Sequence, residues 1–83
     1  MAAFKLKERI SVGDSDPFLE AVRIIEVGKP RTFIPMLALF VESWEYAGDP
    51  TDPAAYEALD LFREYMPMVR QAEGRVAEMM GND

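Results

Sequence analysis

Three stretches of this chain bring together residue types that can hold an ion or move a proton. Asp49, Asp52 and Glu57 surround the turn GDPTDP. A calcium loop of the EF-hand kind needs oxygen ligands at alternating positions and a glycine at its sixth. Here Pro50 and Pro53 interrupt that alternation, so turn and capping chemistry accounts for both aspartates. Glu57, Asp60 and Glu64 stand at helical spacing as a carboxylate row. Acid–base work would need burial or a like-charged neighbour in a pocket to shift their pKa, and an exposed helix face supplies neither. Gly28, Lys29, Arg31 and Thr32 precede a helix, as an anion site would, but lack the glycine-rich loop of a phosphate cradle. Histidine and cysteine are both absent from the chain. The usual general base, the commonest metal ligand and thiol chemistry are therefore missing. No catalytic residue, metal ligand or cofactor is assigned, and the chain reads as a non-enzyme.

The residues left to carry a function are those that touch other proteins. Met66, Met68, Met79 and Met80 gather in the last third, with Met36 further upstream. Methionine fills cores but also adapts to irregular binding faces. Tyr46 and Tyr65, if exposed, are candidate interface anchors. The opening segment alternates apolar and basic residues, and a strand of that kind at a chain end can add to the sheet edge of another protein. The candidate contact residues are accordingly Phe4, Leu6, Ile10, Val12, Tyr46, Tyr65, Met68 and Met79.

These residues must be positioned by one domain of 83 residues. A chain this short buries only roughly 60–65% of its unfolded surface, and without disulfides it favours self-association or docking as a further source of stability. Phe4, Leu6, Ile10 and Val12 alternate with Lys5, Lys7, Arg9 and Ser11, which predicts a strand over 4–12 or an extended arm over 1–12. Residues 18–27 admit two readings. Asp16 as N-cap, Pro17 and the stop at Gly28 favour a helix. Val22, Ile24, Ile25 and Val27 favour a strand over 20–27 that would form a hairpin with the first, and that reading is taken.

Phe33, Leu37, Phe40, Val41 and Trp44 recur at helical spacing, predicting a helix capped by Thr32 and running to Gly48. Asp52 and Pro53 open a second helix with Tyr56, Leu59 and Phe62 inward, which Pro67 ends or kinks. Val69, Ala72, Val76, Met79 and Met80 mark a third. The fold class is therefore α+β and mostly helical, an N-terminal strand or β-hairpin packed on about three helices, with an all-α domain carrying an extended N-terminal arm as the alternative.

Charge narrows the partners. Residues 32–83 hold three basic and ten acidic groups, against six and five in residues 1–31. An acidic surface repels phosphate backbones, so nucleic acid is not an expected partner. Neither is a membrane: the longest apolar run, Phe33 to Val41, falls far short of the ~20 residues a span needs, and MAAFKLKERIS lacks the apolar region of a signal peptide. The expected location is cytosolic.

Three segments carry a resemblance: the opening FKLKERISVGD, the VESWEY–AGDPTDPAAYEALDLF junction, and the last helix after the proline of EYMPMVRQA. In size, acidity and the order strand then helices, the chain resembles small morphogenesis proteins of long-tailed bacteriophages. The resemblance implies a non-enzymatic role in the host cytoplasm, binding other phage structural proteins during assembly. On the tail-assembly-chaperone reading the partner is the tape-measure protein, and the family commonly has a longer frameshifted form. On the alternative reading it is a virion-resident accessory protein on capsid or tail subunits. A different class of reading is a small acidic regulatory or host-inhibiting protein.

Overall fold

The first strand finds its partner in the middle of the chain rather than in the segment that follows it. In the computed structural model, which describes residues 3–81, β1 (Phe4–Leu6) pairs antiparallel with β2 (Val41–Trp44). The register sets Phe4 opposite Trp44, Lys5 opposite Ser43 and Leu6 opposite Val41, leaving Glu42 as the extra residue of a bulge. The Glu45 N–H donates to the Ala3 carbonyl and the Lys7 N–H to the Phe40 carbonyl, both at 2.8 Å, closing the ladder at each end. Residues 3–12 are thus not a free arm: Leu6 is buried.

Residues 20–27, read as a strand, belong instead to α1 (Ser15–Arg23) and the turn after it. Phe18 and Ala21 are buried, with Val22 and Ile25 half-buried. Those four positions fall at i, i+3, i+4 and i+7, the stripe that a helix needs against a core. This stripe outweighs β-branching, because burying a face contributes more than a propensity difference. Asp16 lies within the first turn rather than at the cap. Gly28, at φ +91°, turns the chain out of the segment.

The helix expected from Thr32 to Gly48 is half strand. A 3₁₀ turn (Pro30–Phe33) leads into α2 (Ile34–Phe40), and the chain becomes extended at Val41, with φ −80° and ψ 121°. Thr32 does not cap α2. Its hydroxyl donates to the Lys29 carbonyl at 2.7 Å and accepts from the Glu26 N–H at 2.9 Å, fastening the preceding loop. The switch at Val41 supplies the ladder partner that β1 requires.

Downstream, Asp52 caps as expected, accepting from the Ala54 N–H at 3.0 Å, but the turn it opens is a 3₁₀ segment (Pro53–Ala58) that breaks at Leu59. Asp60 then starts a new helix. Its carboxylate accepts from the Arg63 N–H and its own N–H donates to Glu64, each at 2.8 Å. A π-turn (Leu61–Tyr65) runs directly into α3 (Met66–Gly81). Pro67 does not end the helix. The Tyr65 and Met66 N–H groups reach back five residues, to Asp60 and Leu61. This wider turn accommodates a proline that would otherwise crowd the carbonyl four residues earlier.

The fold is α+β and mostly helical. Phe40, Met36, Leu37, Met68, Val41 and Val69 form the centre of one core. Tyr56 and Tyr65 reach into it, their hydroxyls donating to the Pro50 and Pro30 carbonyls. Burial raises both phenols, and for Tyr65, with Glu57 nearby, the value is about 12.

Candidate protein-binding site

The carboxylates of the turn and the acidic row already have partners. Asp49 accepts from the Thr51 N–H at 2.9 Å and its hydroxyl at 2.8 Å, bonds that hold the carboxyl below its usual pKa. Glu57 pairs with Arg31 at 2.7 Å, and Asp60 and Glu64 cap the π-turn as described. These side chains shape turns and helix starts.

Three of the eight large apolar side chains left exposed among the described residues gather around one groove. α1 and α3 both pack on α2 but little on each other, so a seam stays open between them. One groove in it, about 180 Å³, is lined by Ile10, Phe18, Leu19, Val76, Met79 and Met80, with Ser15 the one polar residue. Leu19 is 50% exposed, Met79 41% and Met80 60%. A second groove, about 320 Å³, is lined by Val22, Ile25, Met36, Glu73, Val76 and Ala77. The two share Val76 and extend the apolar surface along the seam. Glu73 on α3 is the one charged residue that lines the two grooves.

The residues expected to make contacts divide by position. Ile10 and Met79 line the seam. Val12 is almost fully exposed in the turn before α1. Phe4 is half-buried and lines a different groove, beside β1. Tyr46 is half-buried, its ring 5.4 Å from that of Trp44 in an edge-on contact, and partial burial together with Glu64 and Glu45 raises its phenol. The side chains of Leu6, Tyr65 and Met68 are buried in the core and are not available for contact. Leu19 was missed, because the strand reading of residues 20–27 left α1 without an outer face. Phe62 was expected inward, yet it is 78% exposed, because the break at Leu59 resets the helical phase.

Among the described residues no group of three acidic side chains is placed to hold a metal ion, and no helix is long and apolar enough to cross a membrane. Comparison with known proteins finds no match: no family model, no curated protein and no solved structure is similar to this chain.

Proposed function

We propose that this chain is a non-enzymatic protein-binding module that holds an amphipathic helical segment of another protein in the α1–α3 seam. The observation that carries the reading is the cluster Leu19, Met79 and Met80, large apolar side chains left exposed around one groove. Glu73 beside that apolar surface suits a partner helix with a lysine or arginine next to its apolar stripe. Burying the exposed parts of these three side chains contributes roughly 3 kcal/mol, before the cost of association. That magnitude supports a transient hold better than a permanent joint.

Transient cover of apolar helices fits a tail-assembly chaperone of a long-tailed bacteriophage, with the tape-measure protein as its partner. Co-expression with the tape-measure protein of the same genome tests this. The chain keeps that protein in the soluble fraction, and Leu19→Ser, Met79→Ser and Met80→Ser combined abolish the effect while leaving the thermal midpoint within a few degrees. Equal solubilisation by the triple variant would overturn the seam as the site. Finding the chain at fixed copy number in finished particles would replace the chaperone reading with that of a virion accessory protein.

A further inference from the structure

The chain carries a net charge of −6, yet several of its cations gather in one place. Arg23, Lys29 and Arg31 are each tied to a glutamate, and Lys5 pairs with Glu42 at 3.6 Å across the two strands. Arg70 and Arg75 instead flank the outer edge of β1, in a groove of about 590 Å³ that also takes in Phe4, Lys5 and Leu6. Lys7 and Arg9 line an adjoining hollow together with Lys5, Glu8 and Glu42. Arg75 donates to the Lys7 carbonyl at 3.2 Å, which fixes α3 against the strand.

The strand supplies a second element of recognition. Ala3 and Lys5 turn their peptide groups toward β2 and the Lys7 N–H turns the same way to the Phe40 carbonyl, as the bonds at Ala3 and Lys7 and the Lys5–Ser43 pairing show. By the antiparallel alternation, Phe4 and Leu6 turn theirs outward, toward the groove. Opposite them stands Gly74 on α3. A side chain there would meet no atom within 4 Å of its Cβ, so the groove is open at that point and the fold does not require glycine.

We propose that this groove takes an extended, acidic segment of a partner protein as a third strand on β1. Main-chain bonds to Phe4 and Leu6 hold the segment, and its carboxylates meet Arg70 and Arg75. A second copy of β1 fits poorly, since an antiparallel pair centred on Lys5 would set lysine against lysine. Glu8 and Glu78 on the groove walls disfavour a phosphate backbone, with its unbroken row of charges. This site lies apart from the α1–α3 seam and stands or falls independently of it.

The probe is a capped heptapeptide alternating glutamate and valine, titrated into the isotope-labelled full chain while amide shifts are followed. Saturable shifts centred on Phe4–Leu6 and on α3 from Arg70 to Glu78, with slowed hydrogen exchange at Phe4 and Leu6, are expected. Gly74→Trp fills the groove and abolishes binding, and Arg70→Glu weakens it about tenfold or more. Both variants keep the wild-type circular dichroism, and Gly74→Ala serves as the folded control. Equal binding of a lysine–valine peptide would overturn the charge complementarity. Equal binding of a glutamate–valine peptide N-methylated at alternate amides would overturn strand addition. Unchanged binding by Gly74→Trp would overturn the site, and preferential binding of a single-stranded oligonucleotide would overturn the partner class.

Discussion

Two glycines of this chain have opposite roles, and substitution should separate them by sign. Gly48 closes the turn after β2 at φ +89°, and an added Cβ would lie 2.9 Å from the Cβ of Ala55. The same residue's carbonyl accepts from the Trp44 indole N–H at 2.9 Å, and the Trp44 ring centre lies 4.7 Å from that of Tyr56. Gly48→Ala therefore meets both backbone strain and a clash, and should cost about 1–3 kcal/mol. Gly74 has neither constraint, so Gly74→Ala should stabilise the chain by roughly 0.5–1 kcal/mol through helix propensity alone. Urea melts of the two variants against wild type check the pair. A stabilised Gly48→Ala variant would mean that the turn after β2 is not the one described.

At the level of elements, sequence periodicity was a partial guide. It located α3 from Val69, Ala72 and Val76, and of the strand expected over 4–12 it found β1 at Phe4–Leu6, while Val12 falls in a 3₁₀ turn. It failed where two periodicities coincide. Val41 and Trp44 continue the helical stripe of Phe33, Leu37 and Phe40, yet in a strand with a bulge at Glu42 they serve the sheet equally well. Only the unmet ladder of β1 decides between these, and that is a long-range demand no local window contains. The π-turn was illegible for a related reason: Pro67 signals a broken helix, and the five-residue bonds that absorb it depend on the cap at Asp60. For the contact site, Ile10 was readable from the alternating opening segment and Met79 from the methionine-rich last third. Leu19 became visible only once α1 was a helix.

Ser43 offers a direct test of the strand. It is exposed and lies opposite Lys5, so packing has little say in which residue it prefers. In a strand, Ser43→Thr should be more stable than Ser43→Ala by about 0.5–1 kcal/mol. In the helix that the periodicity predicted, alanine would be the better of the two. Thermal melts of the two variants side by side give the order, and alanine ahead of threonine would remove β2.

Across the whole molecule, α3 serves both proposed surfaces from different flanks. Arg70, Gly74 and Glu78 follow one another at i, i+4 and i+8 along the β1 groove, and Glu73, Ala77 and Met80 run along the seam with α1. One attraction is electrostatic and the other apolar, and salt acts on them in opposite directions. Raising ionic strength from about 0.05 M toward about 1 M shortens the screening length from above 10 Å to about 3 Å, so the acidic probe should lose at least about tenfold in affinity. Apolar burial survives salt and is strengthened by sulfate, so an amphipathic helix in the seam should bind as well or better. Titrating both probes at low salt and at high sulfate, with Gly74→Trp and the Leu19, Met79 and Met80 triple variant as the respective blocks, reads the two surfaces separately. If both affinities fell together, the seam would be acting through Glu73 rather than its methionines. If neither moved, the cations around β1 would not be what holds the acidic strand.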